Sequence, residues 1–357
     1  MSKPRTRPLI RAVLIDVSGN LHVGTSPTPQ AAEAFHRLRR SGIPFRLCSN
    51  TSKESSASLI HRLRKLGFNV EPSSNLSRSE SSLDYSPDTN NRHDSQYQNQ
   101  KRREVWTSIG AVAQYIQNQG LERPYFLLSP SAKDEIVLAP CGSGRSEGSG
   151  DSPYDSVVVG LTPELFDYSH LNTAFRILKG EHETQRPLTA SGSRSQSTVP
   201  EGRTTPKSRP QLIATHKAKY IQTEAPPGLS LGPGPFVAAL EVAANIKAHV
   251  IGKPTRMFFQ TVIDNFYSSG ELNEAEHYGK IAVVGDDIEA DLGDGAIEMG
   301  LWRILVKTGK YRKGDESRPD TVPPDEVFES FAVFVESLLT EQACQNGEKR
   351  DAPFHKL

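Results

Sequence analysis

Residues 12–20 read AVLIDVSGN: four apolar residues are followed at once by an aspartate, and soon after by a serine and a glycine. A short, unbroken apolar run predicts a strand that is buried on both faces, as in a parallel sheet. Similar runs recur along the chain, at Phe45–Cys48, Ala248–Ile251, Ile281–Val284 and Ile304–Val306. Amphipathic helical segments accompany them, at Gln30–Arg40, Glu54–Leu66, Phe236–Ile246 and Thr255–Phe266. This alternation predicts an α/β fold with one doubly wound, Rossmann-like parallel sheet, built from residues 1–70 and 235–340.

The middle of the chain, residues 71–234, is predicted to be an inserted α/β domain. It contains its own strand patterns at Tyr125–Leu128, Ser156–Val159 and Leu212–Thr215, with a helical pattern at Leu171–Leu178. Three stretches within it are rich in small, polar or charged residues, at 72–103, 139–153 and 181–210. Such segments bury too little apolar area to offset the entropy of ordering, so we predict disordered insertions there. Residues 341–357 are predicted to form a flexible tail.

The composition argues against several classes of function. Lys and Arg together number 42, as do Asp and Glu, whereas binding to nucleic acid or acidic lipid favours a basic excess. The three cysteines lie at unrelated spacings that make neither a disulfide framework nor a CxxC metal site. No apolar run is long enough to span a bilayer, and the N-terminal apolar stretch is too short for a secretory signal and contains Asp16. We therefore expect a cytoplasmic protein with no nucleic-acid or membrane partner.

Polar side chains follow four of the predicted strands at the point where each strand ends. Asp16 follows the first strand, and Ser49 and Asn50 follow the second. Lys253 follows the third, and Asp286 follows the fourth. Each has an ordinary explanation alone, as a turn residue, a helix N-cap or a solvated charge. Because ligands of open α/β sheets collect at the carboxyl ends of the strands, the four together predict a single site.

These residue types suit phosphoryl transfer with a bound Mg²⁺. Asp16 and Asp286 come from opposite ends of the sequence, and two converging carboxylates repel each other unless a cation lies between them. Oxygen ligands with positions left for water suit Mg²⁺. Lys253, the Ser49 hydroxyl and N–H groups of the loops would neutralise a phosphoryl group. A carboxylate directed at phosphorus can act as the nucleophile, through an aspartyl-phosphate.

The motifs resemble those of the haloacid dehalogenase superfamily of phosphatases. They read D-x-S-G after the first strand, S-N after the second, G-K-P after the third and G-D-D-x-x-x-D after the fourth. The large insertion between the second and third motifs resembles the C2-type cap of that superfamily. The resemblance implies a Mg²⁺-dependent phosphatase that acts on phosphoric esters, phosphoramidates or pyrophosphate. It also implies a small phosphorylated substrate or a phosphorylated side chain as partner, and a homodimer.

The resemblance assigns roles to individual residues. The catalytic residues would be Asp16, as the nucleophile, and Lys253, which bridges the phosphate and the nucleophile. The Mg²⁺ ligands would be Asp16, the main-chain carbonyl of Ser18 and Asp286, with Asp287 and Asp291 close to them. The residues expected at the phosphoryl group are Asp16, Val17, Ser18, Ser49, Asn50 and Lys253. His216, in the cap stretch Ala214–Lys217, is expected near the leaving group, although a histidine with a purely structural role fits equally well.

Two positions depart from the pattern of the superfamily. Most of its phosphatases have a second aspartate two residues after the nucleophile, which protonates the leaving group and then activates water. Here that position is Ser18, which is not an acid near neutral pH. We therefore expect a preference for P–N, P–O–P or activated ester bonds over simple alkyl phosphates. Asn20 replaces the more usual Thr and is expected to loosen the loop.

Three other functions fit part of the pattern. A phospho-acceptor receiver domain uses clustered acids, a hydroxyl and a lysine, but it is compact and has no large insertion between the hydroxyl and the lysine. A true dehalogenase attacks carbon without a metal and has little use for Asp286 beside Asp287. A catalytically weak or silent protein that binds Mg²⁺ or a phospho-ligand is the main alternative, because of Ser18 and Asn20.

Overall fold

The computed structural model describes residues 6–71, 102–138, 153–182, 209–224, 226–273 and 278–350. The strands are β1 (Ile10–Asp16), β2 (His22–Val23), β3 (Ser26–Pro27), β4 (Phe45–Ser49), β5 (Val105–Thr107), β6 (Pro124–Leu127), β7 (Ser156–Val159), β8 (Gln211–Ala214), β9 (Tyr220–Glu224), β10 (Pro227–Leu231), β11 (His249–Val250), β12 (Lys280–Gly285), β13 (Trp302–Val306) and β14 (Glu326–Phe328). The helices are α1 (Ala31–Arg40), α2 (Ser56–Lys65), α3 (Ser108–Asn118), α4 (Pro130–Val137), α5 (Tyr168–Lys179), α6 (Gly234–Ala244), α7 (Arg256–Ser268), α8 (Asp294–Glu298) and α9 (Phe331–Arg350). Short 3₁₀ turns lie at Pro163–Leu165 and Asp315–Ser317. The predicted disordered insertions at 72–103, 139–153 and 181–210 lie outside the described residues, apart from their edges.

A six-stranded parallel sheet forms the core, in the order β14-β13-β12-β1-β4-β5. Successive side chains of β1 point to opposite faces of this sheet. Val13 and Ile15 pack with α1, α2 and α9, whereas Ala12 and Leu14 pack with α7 and α8. Because β1 lies between β12 and β4, Asp16 at its end lies in the middle of the carboxyl edge. The predicted doubly wound α/β fold is confirmed.

A separate parallel sheet of four strands forms the insertion, in the order β11-β8-β7-β6. Helices α3 and α4 cover one face of this sheet, and α5 and α6 cover the other. Two antiparallel pairs complete the sheets of the described residues, β2 with β3 and β9 with β10. The predicted inserted α/β unit is therefore present.

The boundaries of the insertion differ from the predicted ones. β5 falls inside the predicted range 71–234, yet it pairs with β4 and extends the core sheet. β11 was expected in the core sheet but pairs with β8 of the inserted sheet, on which α6 also packs. The insertion therefore runs from α3 to β11. In addition, residues 341–350 of the predicted tail continue α9, while 351–357 lie outside the described residues.

Local sequence explains where several helices begin. Helices α2, α3, α4, α5 and α7 are each preceded by a residue whose side-chain oxygen accepts a hydrogen bond from a free N–H of the first turn; these residues are Ser55, Thr107, Ser129, Asp167 and Thr255. In the part of the chain that the structure describes, no helix has the length and apolar character needed to cross a membrane.

Hydrogen bonds clamp the loop after β4 to the insertion. The Ser52 hydroxyl accepts a hydrogen bond from the N–H of Leu161 at 2.8 Å, and the Ser129 hydroxyl donates to the carbonyl of Lys53 at 2.9 Å. The Glu135 carboxylate accepts both from the N–H of Ser56 at 2.5 Å and from its hydroxyl at 2.7 Å. These contacts hold the insertion beside the edge of the core sheet that carries Asp16.

Candidate active site

Three buried carboxylates converge at the carboxyl edge of the core sheet. Asp16 ends β1, and Asp286 and Asp291 lie on the loop that follows β12. One oxygen of each of the three lies within 4.8 Å of the others. All three residues are at most 6% exposed. Burial raises the pKa of Asp286 well above its ordinary range and also raises that of Asp16, with Asp291 adding to both shifts.

Lys253 is the cation that reaches into this cluster. Its ammonium donates to one oxygen of Asp16 and, at 2.7 Å, to Oδ1 of Asp291. The side chain is only 1% exposed. Burial alone would lower the pKa of Lys253, but Asp16 and Asp291 outweigh that effect and raise it. Lys253 therefore stays charged and fixes the orientation of both carboxylates.

The same cluster retains two carboxylate oxygens that fit a metal ion. Oδ2 of Asp16 and Oδ1 of Asp286 are buried and have no hydrogen-bond partner among the described residues. Buried anionic oxygens without partners are costly unless a cation binds them. Their oxygen chemistry suits Mg²⁺, which Asp16 and Asp286 would hold. The carbonyl of Ser18 as a third ligand stays a prediction.

Asp287 and Asp291 have other partners, which support the site. Oδ1 of Asp291 binds Lys253, and its Oδ2 accepts from the N–H of Asp287 at 3.2 Å. Oδ1 of Asp287 accepts from the N–H groups of Glu289 and Ala290 at 3.0 and 2.9 Å. These two acids therefore shape the loop after β12 and anchor the lysines around it.

Asn50 contacts Lys253 in a way that the sequence did not predict. Its Nδ2 donates to the carbonyl of Lys253 at 2.9 Å, while its Oδ1 accepts from the N–H of Lys253 at 2.9 Å. The amide thus holds the main chain of Lys253. Asn50 also lines the cavity beside Asp16, and its second N–H is left to donate, so its contact with phosphoryl oxygens stays a prediction. Ser49 is buried, and its hydroxyl accepts from the N–H of Thr51 at 3.1 Å. The hydroxyl hydrogen of Ser49 can still be donated to a ligand.

Asn20 is hydrogen-bonded to the nucleophile loop. Asn20 is fully buried, and its Nδ2 donates to the carbonyl of Asp16 at 2.9 Å. Its Oδ1 is buried and has no hydrogen-bond partner among the described residues, so the expectation that Asn20 loosens the loop stays a prediction. The side chain of Val17 packs in the core, so any contact of this residue with a ligand comes through its main chain. Ser18 is exposed and faces a cavity of about 330 Å³ together with Asp16.

His216 reaches this cavity from the insertion, and its contact with a leaving group stays a prediction. It is 4% exposed, and its Nδ1 accepts a hydrogen bond from the N–H of Ala218 at 3.3 Å, which leaves the ring proton on Nε2. Burial lowers the pKa of His216 to about 3, and Lys310 and Lys253 lower it further. The ring is therefore neutral near pH 7, so His216 is not a ready source of a proton for a leaving group.

Lys310 is a site residue that sequence reasoning missed. It lies on the loop after β13, and its side chain lines the cavity beside Asp16 and His216. Its ammonium donates to Oδ2 of Asp287 at 3.0 Å, and its N–H donates to Oδ2 of Asp286 at 2.6 Å. Burial alone would lower the pKa of Lys310, but the surrounding carboxylates raise it well above its ordinary range. The signal was available, because Lys310 follows a fifth strand end at the same sheet edge.

A parallel core sheet with this cluster at its edge and an α/β insertion beside it is the architecture of a hydrolase of the haloacid dehalogenase type. Two family profiles match the chain: haloacid dehalogenase-like hydrolase over residues 13–139, and HAD-hydrolase-like over residues 250–334. Human haloacid dehalogenase-like hydrolase domain-containing protein 2 is 34% identical over 330 residues, which cover 92% of this chain and 96% of the human protein. The chain belongs to the haloacid dehalogenase-like hydrolase family, and the predicted resemblance is confirmed.

Further relatives agree with this assignment. Human phospholysine phosphohistidine inorganic pyrophosphate phosphatase is 29% identical over 334 residues, covering 92% of this chain and 94% of that protein. Among solved structures, 4-nitrophenylphosphatase from Thermotoga maritima has a TM-score of 0.63 at 21% identity and covers 92% of this chain and 97% of that one. NagD from E. coli K-12 has a TM-score of 0.60 at 19% identity, with 90% and 97% covered. The two structures share the fold of this chain.

Proposed function

We propose that this chain is a Mg²⁺-dependent phosphohydrolase that forms an aspartyl-phosphate on Asp16. The observation that supports this best is the environment of that carboxylate. Lys253 binds one oxygen of Asp16, and the other oxygen is buried without a described partner beside Asp286. Attack on phosphorus and metal binding both need a carboxylate whose orientation is fixed in advance.

The reaction would proceed in two displacements. Asp16 attacks phosphorus and forms an O–P bond, while the bond to the leaving group breaks and its electron pair departs with the leaving group. Water then attacks the aspartyl-phosphate, releasing phosphate and restoring the carboxylate. Lys253 neutralises charge on the phosphoryl group, and Asn50 keeps Lys253 in place. When bound, Mg²⁺ supplies positive charge to the two carboxylates and to the phosphoryl oxygens.

The substrate would be a small phosphorylated compound or a phosphorylated side chain. The cavity of about 330 Å³ beside Asp16 suits a ligand of that size. Ser18 in place of an acid favours P–N, P–O–P or activated ester bonds. The name of the human phosphatase relative mentions phospholysine, phosphohistidine and inorganic pyrophosphate, which contain P–N or P–O–P bonds. A structural neighbour is named as a 4-nitrophenylphosphatase, and 4-nitrophenyl phosphate is an activated ester. The predicted homodimer and cytoplasmic location stay predictions.

Replacing the nucleophile tests the proposal. Asp16→Asn removes both the nucleophile and a charged metal ligand, so hydrolysis of 4-nitrophenyl phosphate with Mg²⁺ should fall below about a tenth of the parent rate. The matched control is Asp264→Asn, the same chemical change at an exposed aspartate of α7, and it should keep the parent rate. Retained activity in Asp16→Asn would contradict the covalent mechanism.

A mimic of the phosphorylated state distinguishes the enzyme from a catalytically silent protein that binds Mg²⁺ or a phospho-ligand. Beryllium fluoride with Mg²⁺ mimics an aspartyl-phosphate, and it should raise the melting temperature of the parent but not that of Asp16→Asn. Such a rise together with hydrolysis supports the enzyme. A rise from Mg²⁺ or beryllium fluoride without hydrolysis of any phosphorylated compound would favour a binding protein.

A further inference from the structure

The loop 307–311 after β13 is locked onto both loops that carry the acidic cluster. The Thr308 hydroxyl donates to the carbonyl of Gly19 at 2.6 Å, and the N–H of Lys310 donates to Oδ2 of Asp286 at 2.6 Å. Gly309 has a φ of +56°, and a Cβ there would overlap the Asp286 carboxylate and the main chain of Gly19. The position of Lys310 is therefore fixed by the fold, unlike that of a surface lysine.

The two lysines of the site have different surroundings. Lys253 is 1% exposed, and its ammonium donates to Asp16 and Asp291. The side chain of Lys310 is 15% exposed, lines the cavity beside Asp16, and has one described hydrogen bond, to Asp287. An ammonium has three N–H donors, so two of them are left to point at a ligand in the cavity. Lys253 binds the nucleophile, whereas Lys310 lines the cavity beside it.

A leaving group in this cavity needs charge stabilisation, for which Lys310 is the best-placed of the described cations. Lys53 also lines the cavity but is exposed, and Arg62 is paired with Glu54. When the bond to phosphorus breaks, the leaving oxygen receives the electron pair and develops negative charge. Ser18, where an acid would protonate that oxygen, cannot do so, and His216, which also lines the cavity, is neutral near pH 7. A fixed cation at the cavity wall can stabilise the developing charge instead, because it is already in place when the charge appears.

We propose that, for substrates with a P–O bond to the leaving group, the ammonium of Lys310 contacts the leaving oxygen and stabilises it as an anion, which favours pyrophosphate and activated esters, whose leaving groups depart without prior protonation. This inference rests on the proposed function. The Asp16–phosphorus bond forms, the phosphorus–oxygen bond breaks, and the leaving oxygen departs as an anion beside Lys310. That anion then takes a proton from water. Lys310 keeps its own proton throughout.

The test compares Lys310→Gln with the parent on a series of aryl phosphates whose phenols differ in pKa. Loss of the cation should lower kcat/KM about 10²-fold for phenyl phosphate, with its poor leaving group, and much less for 4-nitrophenyl phosphate. The dependence of rate on leaving-group pKa should therefore become steeper. The control Lys307→Gln removes an ammonium from the same loop that pairs with Glu329 and is not among the residues lining the cavity, so its slope should match that of the parent.

Each other outcome has a defined meaning. An unchanged slope in Lys310→Gln, or an equal steepening in Lys307→Gln, would overturn the inference, since the effect would then not depend on the cation in the cavity. Loss of the thermal shift with beryllium fluoride and Mg²⁺ in Lys310→Gln would also overturn it, because Lys310 would then bind the phosphoryl group. A parent that neither hydrolyses any aryl phosphate nor responds to beryllium fluoride would instead refute the proposed function, and this inference with it.

Discussion

At the scale of single residues, the sequence predicts which side chains meet better than it predicts their partners. Asp16, Lys253 and Asp286 were expected at one edge, and the structure places them there. Asn50 was also expected there and lines the same cavity, and its amide in addition binds the main chain of Lys253, which the motif did not predict. A strand end restricts where a residue lies, whereas its hydrogen-bond partner depends on distant segments brought within about 3 Å. The position of a residue in a motif therefore does not predict its hydrogen-bond partner.

A second residue-scale feature is His22, which is buried beside an arginine. Its Nδ1 donates to the carbonyl of Gly24 at 3.0 Å, and its Nε2 accepts from Nη1 of Arg62 at 2.8 Å. Arg62 is held in turn by Glu54 at 2.5 Å. Burial lowers the pKa of His22 to about 4, and the charge of Arg62 adds to that effect. The neutral ring is therefore the form compatible with the fold.

This gives a prediction for stability against pH. Below about pH 6.5 the unfolded chain protonates His22, whereas the folded chain resists protonation until about pH 4. Stability should therefore fall as the pH drops through that window, by about 3 kcal/mol at most from this group. His22→Gln should lose less stability than the parent between pH 6.5 and pH 4 in urea unfolding, and the exposed-site control His61→Gln should follow the parent. Equal losses in His22→Gln and the parent would contradict the prediction.

At the scale of elements, the sequence predicts where short strands lie but not which of the two sheets each strand joins. The core strand β1 and the inserted strand β7 were both found from their apolar runs. β11 has the same kind of run, yet it pairs with β8 in the inserted sheet. Both sheets are parallel and covered on both faces, so they select the same residues and leave no difference in pattern. Lys253 still reaches Asp16, because it lies where the chain returns from the inserted sheet to the core.

The loop after β13 supports an element-scale prediction. Gly309→Ala places a Cβ against the Asp286 carboxylate, in a left-handed conformation that itself costs about 1 kcal/mol. We expect a lower melting temperature and a higher Mg²⁺ concentration for half-maximal thermal stabilisation. Gly314→Ala is the matched control, since Gly314 also has a positive φ, of +100°, but a Cβ there meets no atom within 4 Å. An equal Mg²⁺ response in the two variants would show that the loop does not position Asp286.

At the scale of the whole molecule, the chain leaves the core sheet after Glu71 and returns to it at Glu104, and these two residues lie next to each other. The N–H of Glu71 donates to Oε2 of Glu104 at 2.7 Å. Glu104 is 3% exposed and also forms an ion pair with Arg39. Residues 72–101, between these two points, lie outside the described part of the chain. Contacts among described residues therefore hold the two ends of that stretch together.

Because Glu71 and Glu104 already lie together, residues 72–101 should be replaceable by a short linker. Replacing residues 72–101 by a linker of about six Gly and Ser residues keeps Glu71 beside Glu104 and shortens the loop, which changes its closure entropy by only on the order of 1 kcal/mol. We expect the melting temperature and the hydrolysis of 4-nitrophenyl phosphate to stay at the parent values or rise slightly. In contrast, Glu104→Gln in the full chain weakens the buried contact with Arg39 and should lower the melting temperature. A marked loss of stability in the linker variant would show that residues 72–101 contribute to the fold itself, because Glu104 alone would then be insufficient to join the two ends.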